Sequence, residues 1–534
     1  MSIEFISPGK KIWITGHELR LQGNFELAID LFLDILTSPA SQDQILKIDT
    51  LNELVLCNRA LHIYEMAAEY SLEALELSNE ADYKLGKANA LLNLGALAHL
   101  SFSLKEAKDF FRRALTVFEG DLNDKLGIAK VLLHLGLVSR DEGMIEKAEG
   151  DLYTAYKLIE KEYTDPEYRY VLVRILNHLG NTKLLNLNFL DGITLFKDSL
   201  AFSENTKDYY KKPMILRHLA LCHFILDHNR EFTNLIKESI EISEALKQTN
   251  ELYLSKMYYL TFEFQNKHYT EINKLLIDLD KLSRIKYSPL NFMIYFITGL
   301  VKNEMLDETI KDTLLSMENY YRNNSHKIKQ SQNLILLEIE SVRVLTDQIV
   351  AEQGGYSFGL SRKLEKLIRV ARGHKEERVY LIIYCFLLDQ LIPRVRESTI
   401  KDDNFDSVSK LMKQIKTDIS TNSLFMNLFS ILEVLITIFY TMEFSNNISK
   451  LSLVKKYFSN IAMSELEIKV FNLENDLAEK LSKLTEISEQ NNIDVIKRTV
   501  HIYQQELRKQ ISTYLRYFRF KVIEILFLLN DITS

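Results

Sequence analysis

The 534-residue chain is short of the residues that interrupt regular structure, with 17 glycines and 6 prolines. Turns are therefore few and regular elements long. Cysteine is scarcer still. Cys57, Cys222 and Cys385 lie far apart and form no C-x-x-C pair. That argues against a disulfide or zinc framework and fits a reducing compartment. The chain also lacks G-x-x-x-x-G-K, G-x-S-x-G and H-E-x-x-H, so no phosphate loop, nucleophile elbow or zinc-protease helix is in view. GGYSFG at 354–359 is glycine-rich. No strand precedes it and no Lys-Ser/Thr closes it, so it reads as a connector. No run combines period-two alternation with β-branched enrichment, which excludes a strand assignment.

Charge and hydropathy exclude further classes. A formal net charge of −7 argues against a general nucleic-acid binder. The start, MSIEFISPGKKIW, has no apolar run after its charges, so no signal peptide is expected. The nearest approach to a membrane span is Leu424–Met442, which carries Asn427 and Glu433. An acid near the middle of a span costs about 3 kcal/mol on insertion scales, so a buried helix is the expected state. The expectation is a cytoplasmic, non-enzymatic protein with no cofactor and no membrane span.

What the chain does have is a recurring phrase. LLNLG at 91–95, LLHLG at 132–136, NHLG at 177–180 and RHLA at 217–220 end on Gly95, Gly136, Gly180 and Ala220, at steps of 41, 44 and 40. Twelve residues on stand Ala107, Ala148, Gly192 and Phe232. Four further stand Phe111, Leu152, Phe196 and Ile236, and three beyond those Ala114, Ala155, Ser199 and Ser239. Steps of four and three hold one helical stripe. The segments SFSLKE, DEGMIEK, NLNFLDG and DHNREF interrupt the pattern with polar residues and glycine. Each repeat thus predicts two antiparallel helices, the first offering a small residue where the second crosses.

This pattern resembles the tetratricopeptide repeat in its longer, roughly 40-residue form, as in Pins-like adaptors and bacterial peptide-sensing regulators. GDLNDKLGIAKVLLHLGLVSRDEGMIEKAEGDLYTAYKLIE (120–160) is the clearest copy. Gly16, Leu19, Gly23, Phe25, Ala28 and Phe32 fit a first copy, and Ala67 and Ala74 a second. Tyr269, Ile272 and Leu276 fit a weaker seventh. The resemblance implies an all-α fold, a right-handed superhelical solenoid of helix pairs over 1–285. A degenerate helical region is expected over 286–350, a connector over 351–361, more helix over 362–460 and a helical hairpin over 461–534. The hairpin rests on runs Leu466–Leu484 and Ile496–Phe518 with Asn491-Asn492 between them. It reads as a cap on the solenoid, with a coiled coil and homodimer as the alternative.

In the family the first helix of each repeat lines a groove that grips an extended peptide. Carried over residue by residue, the resemblance implies Asn89, Asn93, Lys130, His134, Arg174, His178 and His218 as a ladder of peptide contacts, with Asn181 beside it. Amides can both donate to and accept from a backbone, and arginine can hold a carboxylate through two bonds. The histidines are polar linings when neutral and cations below a pKa near 6.5. Met214 breaks the ladder, and the first two repeats offer Ile14 and Glu53, so that end of the groove is expected to be less basic. The expected partner is a protein or peptide, with acidic groups as one option. The alternative is a peptide-sensing regulator whose C-terminal helical region is the effector. Because the repeats begin near residue 10, no helix-turn-helix domain is expected ahead of them.

Two clusters carry weaker suggestions. His218, Cys222, His223 and His228 in RHLALCHFILDH hold metal-ligand types, but only His218 and Cys222 share a helix face, so packing is the expected role. SRKLEKLIRVARGHKEER at 361–378 is basic and reads as a solvated helix face.

Overall fold

In the computed structural model the described residues are 7–283, apart from 102, 143, 187, 205–209, 227 and 267, together with 423–441, 445–460, 464–488, 511 and 514. The stretches 286–350, 351–361 and 361–378 discussed above lie outside the described residues, as does most of the 496–518 run. Among the described residues the structure is all helix, with no strand.

Fourteen helices form seven pairs. They are α1 (Pro8–Leu21) with α2 (Phe25–Thr37), α3 (Gln44–Ala60) with α4 (Tyr64–Glu80), and α5 (Lys84–Leu100) with α6 (Leu104–Thr116). Next come α7 (Lys125–Asp141) with α8 (Ile145–Ile159), α9 (Pro166–Leu185) with α10 (Phe189–Glu204), α11 (Lys212–Ile225) with α12 (Asn229–Ala245), and α13 (Thr249–Gln265) with α14 (Tyr269–Ser283). Within every pair the turn is three residues, and it closes in the same way. The N–H of Asn24, Ile63, Ser103, Met144, Asn188, His228 or His268 donates to the carbonyl five residues back. This is the six-to-one bond of a Schellman-type cap, which satisfies an orphan carbonyl as the helix ends.

The helix starts are equally local. Asp43, Asp124 and Asp165 each accept from a backbone N–H in the first turn of α3, α7 and α9, and Pro8 and Pro166 stand in the first turn where no donor is needed. The 44-residue step between Gly136 and Gly180 has its cause here. The helix α9 runs for 20 residues, longer than any other helix of the seven pairs. A π-helical turn, Val117–Leu122, ends α6 and buries Phe118.

The small residue of each first helix has a definite partner. A methyl group at Gly16, Gly95 or Gly180 would stand 2.5–2.7 Å from the ring of Phe32, Phe111 or Phe196 respectively. At Gly136 it would meet Leu152 at 2.8 Å. The offset is sixteen residues each time, and the four partners are fully buried. The glycine makes room for a large apolar side chain of the second helix, a ring in three of the four pairs, rather than merely letting two backbones cross.

The chain divides into two compact units, Met1–Cys222 with Arg230–Leu252, and His223–Asn229 with Tyr253–Ser534. In the second, α15 (Ser423–Thr441), α16 (Ser445–Asn460) and α17 (Ser464–Ser488) pack in series. Leu451, Val454 and Phe458 of α16 and Val470, Leu473 and Leu477 of α17 are buried. Lys455 pairs with Glu474 at 2.8 Å. Tyr514 donates to Asp476 at 2.8 Å, which brings one residue of the 496–518 run onto α17. No helix among the described residues is long and apolar enough to cross a membrane.

Candidate functional site

The first unit is curled so that its first pair meets its fifth. Arg20 on α1 donates to Glu53 on α3, both inaccessible to solvent within a few per cent. His17 donates to Glu53 at 3.2 Å and stands 3.9 Å from Glu167 at the start of α9. The Arg20 guanidinium lies over the Tyr170 ring, 5.8 Å from its centre. Tyr210 packs edge-on to Phe25 and covers Gly23, whose φ of +83° glycine adopts without strain. Gln248 donates to the carbonyl of Tyr210 at 2.7 Å, and Asn250 donates to His62 at 3.2 Å. Contacts 150 and 188 residues apart in sequence thus tie the ends of this unit to each other.

Burial alone would push Glu53 upward. Arg20, and after it His17, outweigh that and hold the carboxyl at about 2. For Glu167 burial is again the largest influence and again loses, this time to Lys130 and then Arg20 and His17, so its carboxyl is lowered. The sequence pointed to neither acid as a closure. The first two repeats supply His17, Arg20 and Arg59, none of which occupies a ladder position.

The ladder residues separate into distinct environments. Asn93 is buried and donates to Asn52 Oδ1 at 3.1 Å. His218 is buried and donates to Asn177 Oδ1 at 3.0 Å. Both bonds span 41 residues and join a ladder residue to the residue just before the ladder position in the preceding pair. His134 stacks on Phe111 of the preceding pair, with centres 5.3 Å apart, and His218 tilts over Phe196 in the same way at 5.6 Å. Lys130 donates to Glu167 at 2.7 Å. Asn89 is half-buried on α5. Cys222 is a buried free thiol, and burial pushes it far up.

His134, His178 and Arg174 share one region. Burial drives His134 well below 6.5, and Arg174 and Arg59 add to it. Burial does the same to His178, helped by Arg140 and Arg174, and to His218, helped by Arg217. All three are therefore neutral at pH 7, polar linings rather than cations. Around them several buried polar atoms lack a partner among the described residues: His134 Nδ1, His178 Nδ1, Asn177 Nδ2, Asn181 Oδ1 and Arg59 Nε. Asn52, Asn177 and Arg59 are the residues of this surface that the repeat positions missed. Asn52 was legible as the residue 41 before Asn93.

A pH dependence follows from the three histidines. Their folded pKa values lie below the unfolded value of about 6.5, so the unfolded chain binds more protons just below that pH. Stability is complete above about 6.5 and is lost as pH falls beneath it. Glu53 and Glu167, lowered from 4.5, act only in more acid solution. The melting temperature is expected to fall steadily from pH 7 to pH 5, and His134→Gln to flatten part of that slope. A flat profile would contradict the burial of these rings.

The sequence from 47 to 120 matches the tetratricopeptide repeat family. The match takes in nearly all of α3, with α4, α5 and α6, so the resemblance read from the residues holds for the second and third pairs. No curated protein matches the chain. Among solved structures, the apo form of RapI is 13% identical over 69% of this chain and 99% of its own, with a TM-score of 0.46. Aspartyl phosphate phosphatase F from Bacillus subtilis is 13% identical over 69% and 95%, with a TM-score of 0.43. Yeast Tom70 is 12% identical over 92% and 99%, with a TM-score of 0.42.

Proposed function

We propose that the chain is a non-enzymatic interaction scaffold whose first unit holds an extended peptide or protein segment against α5, α7, α9 and α11. The observation that carries this reading is the set of polar atoms on α7 and α9 that are unmet among the described residues: His134 Nδ1, Asn177 Nδ2, His178 Nδ1 and Asn181 Oδ1. A buried polar atom without a partner costs about 1–3 kcal/mol, and folded chains keep few of them. An extended backbone offers donors and acceptors in alternation, which is the complement such a mixed set requires. Asn93 and His218 support the surface by their bonds to Asn52 and Asn177. Lys130 acts through Glu167, as part of the closure. Two buried free thiols, Cys57 and Cys222, fit a cytoplasmic setting.

The test is selection from a random octapeptide display library by the full-length protein. Arg174→Ala and Asn181→Ala are each expected to weaken selected peptides about tenfold or more, with melting nearly unchanged. Lys130→Ala is expected to lower melting first, because it frees Glu167. Peptides bound equally by wild type, R174A and N181A would place the contact elsewhere.

A further inference from the structure

His17 stands where three helices of the first unit meet, and each of its ring nitrogens faces an acid. Nδ1 lies 3.2 Å from Glu53 Oε1 on α3. Nε2 lies 3.9 Å from Glu167 Oε2 on α9. Nδ1 also lies 3.3 Å from Arg20 Nη2, one turn along α1. The Trp13 ring covers one face of the imidazole, with planes only 12° from parallel. The side chain keeps 17% of its exposure, enough to trade protons with water. That separates it from His134 and His218, which are enclosed.

A neutral imidazole carries one N–H and one lone pair. With the proton on Nδ1 it donates to Glu53 and turns the lone pair toward the Glu167 carboxylate. With the proton on Nε2 it faces Glu167, while Nδ1 accepts from Arg20 and gives up Glu53. Only the imidazolium presents an N–H to both acids at once. The charges around the ring are evenly matched. Lys10 and Arg20 on α1 and Lys130 on α7 stand against Asp49 and Glu53 on α3 and Glu167 on α9. Tyr170 on α9 faces Arg20. Distance therefore decides. The nearest charges are two acids and one guanidinium, and that guanidinium is already bonded to Glu53. A proton on His17 is thus drawn to the pair of acids. The two contacts differ in kind. Glu53 belongs to α3, which packs beside α1. Glu167 lies across the seam of the curl, so its contact is the one lost when the first and fifth pairs part.

We propose that His17 is a proton-operated clasp for the curl of the first unit: its imidazolium bridges Glu53 and Glu167 and draws the first and fifth pairs together. The clasp acts on the seam rather than on the groove lining, so it is independent of the peptide-binding reading. A unit whose seam has parted keeps Glu53 beside His17 and loses Glu167. The closed unit therefore holds the proton more tightly than the parted one, and by linkage a bound proton favours closure. Closure becomes firmer as pH falls through the ordinary imidazole range near 6.5. Glu167 remains ionised through that range, since its carboxyl is lowered. The sign is opposite to that of His134, His178 and His218, whose protonation weakens the fold as a whole.

The experiment uses the full-length chain as wild type, His17→Gln, Glu167→Gln and the double variant, at about pH 7.5 and about pH 5.5, either side of the imidazole range. The first reading is the emission of Trp13, the only tryptophan, which a stacked imidazolium quenches. Wild-type emission is expected to fall at the lower pH and that of H17Q to stay level. The second reading is amide exchange of α1, taken as protection over the intrinsic rate at each pH, which reports how often the seam opens. The coupling between positions 17 and 167 is expected to be about three- to tenfold in protection at the lower pH and close to none at the higher. The cycle cancels what E167Q does to Lys130 and what acid does to the three enclosed histidines, because both appear in opposing legs. Equal coupling at both pH values would make the contact a fixed one and overturn the clasp, as would stronger coupling at the higher pH. Wild-type emission that runs parallel to H17Q would show that His17 keeps one charge throughout, and would overturn it too. Loss of protection in both single variants without coupling would leave the seam to Arg20 and Tyr170 and end the proposal.

Discussion

Glu53→Ala is expected to cost about 3–5 kcal/mol of stability, the penalty for removing one partner of a buried ion pair. The cause is less the lost attraction than what remains. Arg20 is enclosed on α1, and without Glu53 its charge has no acid in bonding range. His17 loses its hydrogen bond at the same time. The effect should be felt first at the junction of the first and fifth pairs, where Tyr170 and Glu167 also meet Arg20. The molecule carries a reporter there. Its single tryptophan, Trp13, stacks on His17 with ring centres 5.1 Å apart, and Lys10 sits over its other neighbourhood at 4.1 Å. Urea unfolding followed by tryptophan emission should therefore show an early transition in E53A. Replacing both partners, Arg20→Met with Glu53→Leu, should recover much of the loss, because well-packed apolar residues can stand in for a buried pair. A Trp13 transition that moves by less than about 0.5 kcal/mol in E53A would show that the pair does not hold the curl.

The repeat was legible because its causes are local. A glycine and a ring sixteen apart, an Asp before a helix and a three-residue turn all act within one pair, and a linear pattern records them. Gly95 with Phe111 and Gly180 with Phe196 could be placed from spacing alone. Curl is another matter. It accumulates from small rotations between neighbouring pairs, and no single residue encodes it. His17 and Glu167 are 150 positions apart, and nothing near either one announces the other. For the same reason Lys130 and Arg174 looked alike as rungs, yet only Lys130 lies within reach of the first turn of α9. Arg59 was invisible because an arginine in the last turn of a helix is ordinarily solvated and favourable to the helix dipole. In the folded unit its Nε is enclosed. The long step at α9 was readable as 44 residues. Its consequence, that Glu167 and Tyr170 ride on the added first turn toward α1, was not.

Phe111→Ala is expected to cost about 3–5 kcal/mol, the usual loss for a buried phenylalanine, and to reverse the effect of a second change at Gly95. Phe111 is fully buried between α5 and α7, with Gly95 on one side and the His134 ring stacked on it. In the wild-type background Gly95→Ala sets a methyl 2.6 Å from Phe111 Cε1. Such overpacking costs about 1–3 kcal/mol, more than the roughly 1 kcal/mol that alanine gains over glycine inside a helix. G95A alone should therefore be destabilising. Without the ring there is nothing to strike. In the F111A background the helix-propensity gain remains, and the methyl fills part of the cavity, so G95A should become stabilising. The chain already holds a version of this exchange at its sixth pair, where Ala220 takes the place of glycine and Ile236 the place of the ring, both fully buried. The double-mutant cycle gives the sign directly, and a coupling of about 1–3 kcal/mol is expected for groups in contact. If G95A shifts stability equally in both backgrounds, the glycine does not serve the ring. The recurrence of a small residue every 40 to 44 positions would then need a cause outside the helix pair.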